Sequence, residues 1–365
     1  MKLHPADLVF IAIVATYILT CWVVTLVAGL SDRFMPLMYL GTGVQITGVA
    51  LFGYVLYRLC RALFILLLSL RAKRSNPGKI IINDLKFGPM NLELWRRAVP
   101  IFIAFFFFFS TFTSMKFIIA DIKPFAWDEY FAYLDRFIHF GVDPWKILHP
   151  VLGYPVVTKI ISFVYILWLP MFFMVLYWQL FRIQRSAPPP DASRLSSPHW
   201  GEGRVGGMID KNTLRMRFFY TFALSWAING TFLAIVFSSG GPCFYKNITG
   251  GMDFEPLMDY LRAANETYKI YAVGTQELLW RNYMDKGVIL GGGISAFPSI
   301  HVGTAFLFVL MARHVNRIAF AFFTAFFILI FFGSVHLGWH YAVDGYFSIA
   351  TTWGIWKFTK FRHSE

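Results

Sequence analysis

Eight apolar stretches divide this 365-residue chain, and no other feature of it constrains the fold as tightly. They cover residues 8–30, 37–70, 98–120, 156–181, 218–238, 298–313, 318–335 and 341–358; the second is overlong and the sixth short. A helix needs about 20 apolar residues to cross a bilayer. Inside lipid the backbone must satisfy its own polar groups, which leaves such stretches helical. The expected fold is all-α, a polytopic membrane helix bundle of about eight transmembrane helices. Composition agrees. Only 15% of residues are charged and 57% are hydrophobic, against about 25% charged in a soluble domain, so a single aqueous core could not bury the excess. The stretch 8–30 is too long for a signal-peptide core and lacks a small-residue cleavage site, so it should persist as a helix. Cys21 and Cys60 lie in apolar stretches and Cys243 stands alone in a polar segment, which implies no disulfide framework.

The net charge of +13 is a matter of topology. Residues 71–97 carry seven Lys and Arg, residues 182–217 another seven, and the turn 313–317 two; the tail after Lys357 is also basic. Eight crossings put all of these on one side, which the positive-inside rule makes cytoplasmic, together with both termini. The opposite, outer side receives 31–36, 121–155, 239–297 and the link at 337–340. Basic patches interleaved with stacking aromatics are missing from the loops, so nucleic acid is not an expected partner. The chain divides into two N-terminal transmembrane helices (1–70), a basic cytoplasmic loop (71–97) and a membrane domain (98–358). Residues 186–207, SAPPPDASRLSSPHWGEGRVGG, read as a disordered cytoplasmic insert. Part of it resembles translated repetitive elements of some proteobacterial genomes, which implies a bacterial source and hence the bacterial inner membrane. Arg58 and Arg61 inside the second stretch have no evident role. In 121–155, Asp128 and Asp135 are seven apart and share a helical face. The expected arrangement is an interfacial helix with aromatics among headgroups and acids in water, a substrate-positioning role being the alternative.

Chemistry concentrates at one predicted face, where His301, His336 and His340 flank apolar spans; ionisable groups there are costly and tend to be functional. In FPSIHVGTA, Pro298 suits a first helical turn, and the free amides of that turn beside Ser299 and His301 form an anion site. The glycines at 291–293 permit close backbone approach. In GSVHLGWHYAVDGY, His340 and Asp344 are i, i+4 on one helical face, so the carboxylate can take the Nδ1 proton and leave Nε2 as nucleophile or base. Alone, the first motif fits a capped helix start and the second a surface His/Asp pair. Two antiparallel helices joined by the 313–317 turn return both histidines to the same face, which strengthens the pair. Lys116 and Lys123, seven apart at the end of the third stretch, fit two roles: point charges for a phosphate, or snorkelling cations. His336, His340 and Asp344 at i, i+4, i+8 offer a rival metal site. That site leaves His301 and the lysines unexplained, so no metal and no cofactor is expected.

These segments read K-x6-K-P (Lys116 to Pro124), P-S-I-H (Pro298 to His301) and G-S-x5-H-x3-D (Gly333 to Asp344). In order and spacing they resemble the K-x6-R-P, P-S-G-H and S-R-x5-H-x3-D motifs of the type 2 phosphatidic acid phosphatase (PAP2) superfamily, over roughly 98–358. The resemblance implies a six-helix catalytic core in which His340 forms a phosphohistidine, Asp344 orients it and His301 protonates the leaving oxygen. It further implies that Lys116, Lys123, Ser299, Ser334 and first-turn amides hold the phosphate. Three positions depart from the pattern: Lys123 for Arg, Ile300 for Gly and Ser334 for Arg. Loss of that last Arg, with HY-x-V-D around the final His and Asp, is similar to fungal inositol phosphorylceramide synthase and sphingomyelin synthase, which move a phosphorylated headgroup between lipids. The implied function is a membrane lipid-phosphate phosphatase or phosphotransferase at the outer face, with a phosphorylated lipid and the bilayer as partners. The segment 239–297, with Tyr260 and Trp280, would cover an acceptor site. A non-enzymatic lipid transporter, flippase or scaffold is the competing class. It would carry charges near the midplane of several spans, whereas here they cluster at one face.

Overall fold

The computed structural model describes residues 4–39, 92–182, 211–287 and 292–360, with isolated helical positions between 52 and 82. Most of the expected span 37–70, including Arg58, most of the loop 71–97 and the whole insert 186–207 lie outside the described residues. All regular structure among the described residues is helical. Helix α1 (Pro5–Val27) packs along α2 (Leu92–Ile122) and α7 (Lys211–Ala227). Among the described residues, five helices are long and apolar enough to cross a membrane: α1, α2, the nearly continuous pair α5 (Pro155–Ile166) and α6 (Trp168–Phe181), α7 with its extension to Val236, and α11 (Arg317–His336). Shorter α10 (Ile300–Ala312) packs against both α11 and α12 (Ala342–Phe358). The chain is a polytopic helical membrane protein. The beginning of α2 falls inside the segment expected as a basic loop, because residues 92–97 hold no helix breaker and run directly into the apolar stretch.

Apolar runs do not all face lipid. Phe105, Phe108 and Phe112 of α2 are buried at helical spacing. Their rings meet Phe10 at 4.8 Å, Phe219 at 5.2 Å, Phe222 at 5.6 Å and Trp226 at 4.6 Å, mostly tilted or edge-on, as ring quadrupoles favour. In lipid, helix association relies on close packing and small polar side chains. Gly303 supplies the first: a Cβ there would stand 3.1 Å from Thr352 Oγ1 of α12. Trp226 Nε1 donating to Thr304 Oγ1 at 3.0 Å supplies the second. Helix α7 continues through a π turn, Ile228–Leu233, where Gly230 admits Phe112 and Ile300; a Cβ would lie 2.5 Å from the former and 2.9 Å from the latter.

At the end of the bundle remote from His301 and His340, buried Arg215 lies 3.5 Å from Asp7 and donates from Nε to the Gln179 carbonyl at 3.1 Å. Arg97 Nε is 3.7 Å from the same carboxylate. Arg217 sits 3.9 Å over the Trp356 ring and donates to that residue's carbonyl at 2.6 Å. Two cations expected in the 182–217 loop are therefore helical and buried, since α7 begins at Lys211. The Asp7 carboxylate beside Arg215, and the Trp356 carbonyl and ring against Arg217, make their burial tolerable. At the histidine end gather α3 (Asp128–Ile138), α4 (Pro144–Leu152), α8 (Glu255–Thr267) and α9 (Tyr271–Met284).

Candidate active site

Helix α10 begins with Ser299 as N-cap, its hydroxyl accepting from Val302 N at 3.3 Å and its carbonyl from Gly303 N at 3.0 Å. Pro298 stands just before the cap, not in the first turn as expected, since the cap role falls to Ser299. The capping bonds take the Val302 and Gly303 amides and leave those of Ile300 and His301 outside them. Trp168 holds His301 from below: its Nε1 donates to the His301 carbonyl at 3.1 Å, and the rings lie 4.3 Å apart. Tyr165 stacks on the same imidazole at 5.1 Å and lies parallel to Trp339 at 6.2 Å.

His340 occupies the link between α11 and α12. Its Nδ1 is 3.2 Å from Asp344 Oδ2, which also accepts from Tyr341 N at 3.1 Å. The Asp344 carbonyl accepts from Ser299 N at 3.2 Å, so the two motifs are joined directly. The His301 and His340 ring centroids are 6.0 Å apart. Burial and the Lys116 ammonium push the His340 imidazole down to about 3, with the Ala296 carbonyl opposing them. The ring is thus neutral near pH 7 and keeps a lone pair for chemistry. Tyr165 Oη, Trp339 Nε1 and Asp344 Oδ1 are buried without a hydrogen-bond partner among the described residues.

Lys116 acts electrostatically on both imidazoles. The segment 292–296 reaches it through Gly293, whose φ of +90° and close approach exclude a side chain; a Cβ would come within 2.7 Å of the Lys116 carbonyl oxygen. The close approach expected of the glycine run is thereby seen at Gly293, while Gly291 lies outside the described residues.

Two expected assignments are altered, and the rival metal set is not assembled. Lys123 lies beyond the end of α2, donates to the Val236 carbonyl at 2.5 Å and sits over Trp127, so its ammonium is committed away from the histidines. Ser334 is turned into its own helix: its hydroxyl donates to the Phe331 carbonyl at 2.7 Å, and its carbonyl accepts from Trp339 N and His340 N. It shapes the link and does not present a hydroxyl to phosphate. His336 is buried on another side of α11, with Nε2 at 2.9 Å from Thr158 Oγ1 and its ring near His149, so it does not join His340 and Asp344 in a metal set. Replacing Lys116 by Met is expected to lower kcat/KM by about 10- to 100-fold, the value of a hydrogen bond to a charged group. Lys123→Met should cost no more than about fivefold, as for an exposed cation–π contact. Steady-state kinetics on a lipid phosphate in mixed micelles would measure both.

The link is also held from outside, by contacts that no local spacing reveals. Asp128 and Asp135 were expected in water, yet both are buried. Asp128 accepts from Gly240 N, Gly241 N and Tyr341 Oη at 3.0, 2.8 and 2.9 Å; Asp135 accepts from Ala342 N and Val343 N at 2.8 and 2.9 Å. Their seven-residue spacing was the available signal, and only the direction of the face was misread. From 239–297, Cys243 N donates to the Gly338 carbonyl at 2.8 Å and Gln276 Nε2 to the Leu337 carbonyl at 2.8 Å.

Residues 207–358 match the model of the PAP2 superfamily. The matched segment takes in His301, His340 and Asp344 and begins beyond both lysines. Fold and match together describe a polytopic helical membrane protein of which residues 207–358 are similar to the PAP2 superfamily. No curated protein and no solved structure matches the chain.

Proposed function

We propose that this chain is a membrane lipid-phosphate phosphatase or phospho-headgroup transferase that works through a phosphohistidine on His340. The observation that carries the reading is the convergence of a neutral, carboxylate-oriented His340 with His301, Lys116 and the free amides opening α10. His340 Nε2 attacks phosphorus, the bond from phosphorus to the leaving oxygen breaks, and His301, which takes up a proton as the anionic phosphate binds beside it, delivers that proton to the leaving oxygen. In the second half, His301 takes the proton of an acceptor hydroxyl, whose oxygen attacks phosphorus. The N–P bond then breaks and its electron pair returns to Nε2. Lys116 and the Ile300 and His301 amides neutralise the phosphoryl oxygens in both halves. The distribution of Lys and Arg supports an outer-face site, and the likeness of part of 186–207 to proteobacterial repetitive elements supports a bacterial inner membrane.

The acceptor is the finer part of the proposal. Simple hydrolases of the resembling family carry Arg where Ser334 stands, and Ser334 spends its hydroxyl on its own helix. Without that guanidinium the site is less cationic, which suits a phosphodiester better than a monoester dianion. We therefore favour headgroup transfer between lipids, in the manner of the inositol phosphorylceramide and sphingomyelin synthases that the last motif resembles. The test is to incubate purified protein with phosphomonoester and phosphodiester lipids, with and without ceramide, diacylglycerol or a polyol, and to identify products by mass spectrometry. New phosphodiesters support transfer. Free phosphate alone would make it a phosphatase, and no product with any donor, together with no label on His340, would point to a carrier.

A further inference from the structure

We propose that Asp128 and Asp135, two buried carboxylates on one face of α3, are positioning residues that fix the link carrying His340. The proposal rests on the reading of His340 as nucleophile. Asp135 uses both oxygens on consecutive amides, Ala342 N at 2.8 Å and Val343 N at 2.9 Å, which open α12. Those amides lack intrahelical partners, so the carboxylate sets where the first turn of α12 lies. The same turn carries Asp344, whose Oδ2 accepts from both Tyr341 N and His340 Nδ1. A shift in the turn is therefore a rotation of the imidazole. Asp128 fixes the next residue along, Tyr341, through its hydroxyl at 2.9 Å. It also holds Gly240 and Gly241, and Gly241, at φ +95°, presses so close that a Cβ would lie 2.6 Å from the Trp339 carbonyl oxygen. The link is gripped on both sides of His340.

Apolar packing alone would suffice for a simple brace, and burying carboxylates beside buried Asp344 is costly. The cost is visible in Asp135, pushed up to about 7 by burial and by the Asp344 charge, against the Ala342 and Val343 amides and His139. Directional acceptors are what an oriented nucleophile requires. The opposite face of α3 exposes Tyr130, Tyr133 and Phe137, so one short helix joins an aromatic, lipid-suited surface to the catalytic link.

Asp128→Asn, Asp135→Asn and Tyr341→Phe in the full-length protein test this. Asn keeps one acceptor oxygen and turns an NH2 toward a backbone donor; Tyr341→Phe removes a single contact and leaves the carboxylates in place. Expected are falls in kcat of about 100-fold for the Asn variants and about 10-fold for Tyr341→Phe, with KM within about threefold. The single-turnover rate of phosphate transfer to His340 should fall by the same factors. If the wild type forms no adduct on His340, the nucleophile reading fails. If the wild type labels and all three variants label at its rate, the positioning role is overturned. Activity lost only in proportion to unfolded protein, with an unchanged rate per folded molecule, also overturns it.

Discussion

His340→Gln is expected to abolish turnover, by at least about 10⁴-fold, while the protein still inserts and folds. Glutamine can donate its amide proton to Asp344, so the contact that orients His340 in the wild type, 3.2 Å from Nδ1 to Oδ2, has a substitute. What glutamine lacks is a nucleophilic nitrogen, and the first half-reaction has no other. Rapid quench with labelled lipid phosphate should show an acid-labile, base-stable adduct in the wild type and none in the variant, with matching thermal unfolding. A variant that keeps the adduct would move the nucleophile elsewhere. The pH profile adds a second constraint. An imidazole pushed down to about 3 is neutral throughout the ordinary range. Its protonation would remove the nucleophile only as pH falls toward 3, so kcat/KM should show no acid limb from His340 between about pH 5 and 8. A limb near pH 6 would instead follow the second ionisation of a phosphomonoester, about 6, and should vanish with a phosphodiester.

How much of this site could be read from the sequence depended on how local each contact is. His340 and Asp344 were legible because i, i+4 spacing dictates proximity in any helical turn, and the cap at Ser299 is equally local. His301 was legible at one remove: α10 and α11, joined by a four-residue turn, bring the chain back to the level at which it started. Lys123 was not. Its assignment assumed that the face shared with Lys116 continues, but α2 ends at Ile122 and the side chain then donates to the Val236 carbonyl. Ser334 failed for a related reason, because a serine near a helix end can satisfy itself on the i−3 carbonyl and no spacing rule reveals the choice. The Asp128/Asp135 face was recognised and then pointed the wrong way. Acids outward is the rule for a helix facing water. On α3 the exposed side is aromatic, and the acids turn inward, where the unpaired amides of α12 and of Gly240 and Gly241 are the strongest partners within reach.

His301→Asn should separate the two half-reactions that His340→Gln cannot. The side chain sits above Trp168 and against Tyr165, with its backbone carbonyl held by Trp168 Nε1, so asparagine keeps the capped turn and loses only the proton carrier. With a lipid phosphate the leaving group is an alkoxide that must be protonated as it departs, and kcat should fall by about 10²- to 10⁴-fold. With nitrophenyl phosphate the leaving group is a stabilised phenolate that departs without help, so formation of the phosphohistidine should stay within about tenfold of wild type. Dephosphorylation still needs a base to take the proton of the incoming hydroxyl. The variant should therefore release a burst of nitrophenol, one per active site, and then stall. Strongly nucleophilic acceptors that need no deprotonation, such as azide, should restart it. Equal impairment with both leaving groups would show that His301 serves the site through packing alone. A burst that stalls only in the variant places the proton on His301 in both directions, which is what a transfer between two alcohols demands of a single residue.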